Sequence, residues 1–186
     1  MSRFISGNRV VDYLVLAGLI IGGVVVFRYL EFSKPTGPDP SLKASSNRNL
    51  IAVTATVVDG DSLRLDGRNV RLHGIDAPEL DQSCLLANGK SYNCGRDAKA
   101  HLRTLIANRG VRCNQIDVDR YGRDIAVCTA GKTELNRAMV KNGWAMAYRR
   151  YSLNYTGAEN QARNAQKGIW RGDFEAPADW RARHRD

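Results

Sequence analysis

Three carboxylates (Asp61, Asp76 and Glu79) and one arginine (Arg71) lie within the stretch D-G-D-S-L-R-L-D-G-R-N-V-R-L-H-G-I-D-A-P-E, from Asp59 to Glu79. Oxygen-rich acid clusters hold hard divalent cations, and a planar guanidinium beside them matches a phosphate. Residues of these types so close together point to metal-dependent phosphodiester chemistry. Asp59 and Asp66 are each followed by glycine and read as turn formers rather than ligands, since Asp-Gly suits tight turns.

Strand ends must bring these groups together. I-A-V-T-A-T-V-V, from Ile51, reads as a strand ending at Asp59-Gly60. S-L-R-L and R-N-V-R-L flank Asp66-Gly67 as a hairpin. A third strand runs from Arg71 to Ile75, and Pro78 prevents its continuation. Leu80 to Gly95 shows no periodicity and reads as a loop. Arg96 to Asn108 has apolar residues at helical spacing with a stop at Gly110, while V-R-C-N-Q-I-D-V and D-I-A-V-C-T pair around D-R-Y-G-R. Thr133 to Asn142 and Thr156 to Lys167 read as two further helices, closed by Gly143 and Gly168. The expectation is an α+β, mainly β domain over 50–172, with five strands in a small barrel and three helices outside it. Residues 173–186 form a basic tail, and its W-R-A-R-H-R reads as solvated.

The chain of 186 residues is 43% hydrophobic, enough for a core, and carries a formal net charge of +9. Up to Leu30 there are three Arg and one Asp, so the excess belongs mostly to the folded part and favours a polyanionic partner such as nucleic acid. Tyr13 to Phe27 is an uninterrupted uncharged run. With Val10, Val11, Tyr29 and Leu30 it reaches the length of a membrane span, so residues 1–30 read as a transmembrane signal-anchor. A cleaved signal peptide and an ordinary core helix are the alternatives, and F-R-Y-L-E-F after the run offers no small-residue cleavage site. Residues 31–49, rich in Pro and Ser, form a linker. The basic N-terminus predicts that end inside and the domain extracytoplasmic, at the cell surface or in a periplasm, or secreted if the N-terminus is removed.

Cys84 and Cys94 bracket the irregular loop; pairing them closes a ring worth about 3 kcal/mol. Cys113 and Cys128 lie on the two arms of the hairpin, and a turn centred between Arg120 and Tyr121 sets them opposite each other. Two disulfides behind an export segment indicate an oxidising compartment. Zinc ligation and free buried thiols are the competing readings; the spacings contain no C-x2-C pair.

Asp59-Gly60-Asp61, Arg71, Asp76-Ala77-Pro78-Glu79 and Asp119-Arg120-Tyr121-Gly122-Arg123 together resemble the staphylococcal nuclease family, as do N-x-A-M-V-K-N-G-W and the G-I-W ending. The resemblance covers about Ala52 to Trp170 and implies an OB-fold barrel with three helices, calcium, and hydrolysis of DNA or RNA phosphodiesters to 3′-phosphate ends. It assigns calcium to Asp61, Asp76 and the main-chain carbonyl of Ala77, where the best-known member has Thr. It makes Glu79 the general base and Arg71 and Arg123 the catalytic arginines. Asp119, Tyr121 and Tyr148 fall at positions near the nucleotide. Taken as residues alone, the two tyrosines read more readily as core aromatics, Asp119 as an organiser of its loop, and His73 as structural or simply exposed. No protein partner is implied, and the domain is expected to be a monomer. The rival readings are a non-catalytic OB-fold nucleic-acid binding module, which would not require Glu79, and a structural domain of the cell envelope, which would leave the acid cluster unexplained.

Overall fold

A computed structural model describes residues 49–184 apart from Val53. The apolar run and nearly all of the linker therefore lie outside the described residues, and with them the expected transmembrane segment. Among the described residues no helix is long and apolar enough to cross a membrane.

The chain begins with β1 (Asn49–Ala52), β2 (Ala55–Val57), β3 (Ser62–Leu65), β4 (Arg68–Leu72) and the two-residue β5 (Ile75–Asp76). Asp66 and Gly67 join β3 to β4 with φ of 46° and 82°, the left-handed pair a type I′ hairpin turn requires. Alternation then buries Leu63, Leu65, Val70 and Leu72 and turns Arg64 and Asn69 to solvent. Next come β6 (Cys84–Leu85), β7 (Ser91–Tyr92), α1 (Cys94–Ile106), β8 (Val111–Val118) and β9 (Asp124–Ala130). They are followed by β10 (Thr133–Glu134), α2 (Leu135–Lys141), β11 (Met146–Ala147), α3 (Thr156–Asn164), a 3-10 turn at Gly168–Arg171 and α4 (Pro177–Arg183).

The fold is α+β and mainly β. Its larger sheet has the order β1-β8-β9-β4-β3-β2, with β10 on β9. Within it only β4 and β9 run parallel, and Arg68 reinforces that junction with an ion pair to Asp124 at 2.7 Å. β1 and β2 stand at opposite ends of this order, although only two residues separate them in the chain. One segment thus borders both ends of the sheet, and the single strand expected from Ile51 is in fact two.

Two other expectations need correction. Leu80 to Gly95 is not structureless: β6 and β7 pair there, too short to leave a periodic pattern. The tail contains α4, which buries Pro177. Pro177 presets the helical φ, Asp179 lies in the first turn, and Arg181 and Arg183 lie in the last, where they complement the helix dipole.

Leu102 and Ile106 of α1 and Leu135, Met139 and Val140 of α2 pack with the strand residues in one core. Each such side chain contributes about 1.5–3 kcal/mol by leaving water. A smaller cluster joins Cys84, Cys94 and Ile169 to Trp144, Trp170 and Phe174 beside the β6–β7 hairpin. Both expected disulfides are formed, Cys84–Cys94 with Cα atoms 5.6 Å apart and Cys113–Cys128 with 4.0 Å. The equal-spacing register holds at the cysteines; a bulge between Gln115 and Asp117 shifts it by one residue nearer the turn.

Candidate active site

Asp61 enters the site from a turn that its neighbours define. The Asp59 carboxylate accepts from the Asp61 amide at 2.9 Å, and the Leu72 amide donates to the Asp61 carbonyl at 2.8 Å. Gly60 lets this turn press inward, because a Cβ there would lie 2.6 Å from that of Ala77 and 2.9 Å from that of Ala98. Arg71 lies on β4, paired in register with Ser62 of β3. Asp76 lies on β5, whose partner β11 is held from below: Glu159 of α3, fully buried, accepts from the Ala147 amide at 2.9 Å.

These elements bring Asp61, Arg71 and Asp76 together. The Arg71 guanidinium spans the two carboxylates, with Nη1 donating to Asp61 Oδ1 and Nη2 to Asp76 Oδ1, each at 2.8 Å. The other oxygen of Asp61 accepts from the Ala77 amide at 2.9 Å. Asp61 and Asp76 are 3% and 4% exposed, so this is a buried acid pair sharing one arginine. Burial pushes the Asp61 carboxyl up to about 7 against the opposing pull of Arg71. Burial likewise works against the Arg71 charge, but Asp61 and Asp76 overcome it and hold that guanidinium above its ordinary value.

Glu79 stands on the rim of this pair, about one third exposed. Its loop is fixed through the backbone. The Glu79 amide donates to the Gln82 side-chain oxygen at 3.1 Å, and the Gln82 amide donates back to the Glu79 carbonyl at 2.8 Å. The start of α1 packs against this loop so closely that a Cβ on Gly95 would come within 1.7 Å of the Glu79 carbonyl oxygen. Asn93 caps the same helix, its side chain accepting from the Arg96 amide at 2.8 Å.

A fourth group at the centre was not foreseen. Arg181 of α4 donates to both oxygens of Asp76, at 2.9 and 3.0 Å, and to Glu79 Oε1 at 2.7 Å. Desolvation alone would lower its pKa, yet the bonds to Asp76 and Glu79 carry it above the arginine norm. The side chain read as part of a solvated tail is therefore tied to the acid cluster. Proline at its start, acid in its first turn and base in its last signal the short helix in the sequence, but not its contact with Asp76.

The Asp119–Arg123 turn is a separate construction. Asp119 accepts from the amides of Tyr121 and Arg123, each at 2.9 Å, and from the Arg123 side chain at 2.7 Å. Burial would raise the Asp119 carboxyl, but these bonds pull it below its ordinary value. Among the described residues no hydrogen bond or ion pair joins Arg123 to Asp61, Asp76 or Glu79. Tyr121 is 69% exposed, and the guanidiniums of Arg120 and Arg123 approach its ring at 4.8 and 5.7 Å. Tyr148 is half-buried beside β5, its amide donating to the Gly74 carbonyl at 2.9 Å and its ring meeting that of Tyr151 edge-on. His73 serves the scaffold, its carbonyl accepting from the buried Asn136 side chain at 2.9 Å.

Among the described residues no three His, Cys, Asp or Glu side chains are grouped closely enough to form a metal site by themselves. Asp61 and Asp76 supply hard, buried carboxylate oxygens side by side. That donor chemistry fits a hard divalent cation whose remaining ligands come from main chain, water or substrate.

Comparison with known proteins identifies the lineage. Residues 69–172 match the family described as "Staphylococcal nuclease homologue". The chain belongs to that family. The match, with relatives named as nucleases, supports a nuclease, a phosphodiester hydrolase. The chain is 32% identical over 148 residues to an uncharacterized endonuclease of Haemophilus influenzae, covering 75% of this chain and 78% of that one. It is 28% identical over 163 residues to the thermonuclease of Staphylococcus hyicus, covering 82% and 94%. It is 35% identical over 124 residues to the succinoglycan biosynthesis protein ExoI of Rhizobium meliloti, and that match spans 65% of each chain.

Proposed function

We propose that the chain is a calcium-dependent nuclease that hydrolyses DNA or RNA phosphodiesters by attack of water and leaves 3′-phosphate ends. The observation that carries this reading is the pair of buried carboxylates, Asp61 and Asp76, forked by one arginine with Glu79 on the rim. The topology is consistent with a five-stranded OB-type barrel, since β1 and β2 border both ends of the sheet.

Asp61, Asp76 and the Ala77 carbonyl would hold calcium, which when bound would lower the pKa of water and offset phosphate charge. Glu79 takes the proton from the attacking water. A carboxylate at this task contributes roughly 10²- to 10⁴-fold. Arg71, fixed by the strands, meets the negative charge that grows on the non-bridging oxygens. Arg123 does the same from the Asp119 turn, and the exposed Tyr121 offers a face on which a base can stack. Anchored by its N-terminal apolar run, the domain would work outside the cytoplasm as a monomer.

The direct test is degradation of DNA and of RNA by the full chain with added calcium and with a chelator. Calcium-dependent loss of either polymer is the expected result. Cleavage that persists under chelation would refute the metal assignment, and no cleavage by a folded chain would favour a nucleic-acid binding module.

A further inference from the structure

Arg181 and the cation of the proposed reaction require the same atoms. The Arg181 guanidinium covers both oxygens of Asp76, at 2.9 and 3.0 Å, and one oxygen of Glu79 at 2.7 Å. A calcium ion bonded to an Asp76 oxygen at roughly 2.3–2.6 Å would sit against the guanidinium, two positive groups on one carboxylate.

The two arginines at Asp76 are not equally able to give way. Arg71 is carried on β4 between β3 and β9, and its side chain is 18% exposed. Arg181 is carried on a seven-residue helix at the rim, with its side chain 30% exposed. Its approach is nevertheless set by design of the chain rather than by a loose tail. The Gln82 side chain, fully buried, accepts from the Glu79 amide and donates to the Glu175 carbonyl at 2.8 Å, so one residue ties the Glu79 loop to the segment leading into α4. Glu175 also pairs with Arg183 on the far side of the helix. Arg181 lies beyond residues 69–172, the part matched to the family.

We propose that Arg181 is an affinity-setting residue of the metal centre, an internal cation that must leave Asp76 and Glu79 before the divalent cation can bind. This rests on the reading of Asp76 as a cation donor. Apparent affinity falls by the fraction of molecules with the site free, so an arginine that occupies the carboxylates nine-tenths of the time weakens calcium binding about 10-fold. Cation binding then keeps Arg181 away, so the same exchange frees Glu79, the proposed base, from its ion pair.

The test is calorimetric titration of calcium into the full chain at fixed ionic strength, comparing the native sequence with Arg181→Ala, Arg181→Lys and Arg183→Ala, each checked by thermal melting. Arg181→Ala should bind calcium about 10-fold more tightly. Arg181→Lys, which keeps the charge but loses the two-pronged contact, should fall between Arg181→Ala and the native chain. Arg183→Ala removes an equal charge two residues along the same helix and should change affinity by less than about two-fold, because exposed charges are screened. Unchanged or weaker binding in Arg181→Ala overturns the proposal, as does equal tightening in Arg183→Ala, which would make the effect one of net charge. Calcium binding by the native chain without tightening in Arg181→Ala sinks this inference alone. Binding by none of the chains sinks the metal assignment with it.

Discussion

The buried centre around Arg71 and the exposed turn that carries Arg123 present the same functional group in opposite ways. Arg71 of β4 is clamped between Asp61, at the turn leading into β3, and Asp76 of β5. Arg123 is held by one aspartate four residues earlier in a turn whose other side chains face solvent. The first arrangement is fixed before any ligand arrives, at the cost of burying charge. The second is organised locally, leaving its guanidinium and the neighbouring tyrosine free to meet a substrate. The contrast separates stability from chemistry: Arg71 should serve both, Arg123 chemistry alone.

Arg71→Ala should therefore produce the largest combined effect. It leaves buried Asp61 without its arginine and Asp76 with Arg181 alone, which costs about 3 kcal/mol of stability, and it removes a transition-state contact worth roughly 10²- to 10³-fold in rate. Thermal melting and a cleavage assay read the two losses separately, and a variant that melts normally would break the comparison at its stronger end. Arg123→Lys should lose about 10²-fold in rate, since the fork is gone, while stability stays within about 0.5 kcal/mol of native. Near-normal cleavage in that variant would remove Arg123 from the account. Gly95→Ala sharpens the comparison from the scaffold side. Its Cβ cannot fit 1.7 Å from the Glu79 carbonyl oxygen, so the loop must shift by roughly 1 Å or more, and turnover should fall about 10- to 10²-fold. A crystal structure of that variant with Glu79 unmoved would contradict the explanation.

The parts of this molecule that were legible in sequence are those whose causes are local. Asp66-Gly67 announced its own turn through the backbone conformation it favours. The Cys113–Cys128 pairing followed from spacing about a hairpin, and the two stand opposite because the bulge at Gln115 to Asp117 absorbs the one-residue offset between the bridge and the turn. The Asp61, Arg71, Asp76 and Glu79 set could be read from types and spacing because turns and short strands bring residues this near in sequence together. What escaped depends on distance along the chain. Nothing near Gln82 indicates that its side chain reaches Glu175, and nothing in W-R-A-R-H-R indicates that Arg181 reaches Asp76, a contact over 105 positions. The β6–β7 hairpin escaped for another reason: two-residue strands leave no period to detect.

The proposed reaction turns on Glu79 deprotonating a water beside the Asp61–Arg71–Asp76 centre. The most direct test is the cleavage rate of Glu79→Gln under saturating calcium, with thermal melting as the control for folding. The substitution keeps the side chain's size and its ability to accept a hydrogen bond but removes the base. A rate at least about 10²-fold below native with the fold intact is expected, and cleavage within a few-fold of native would contradict that role.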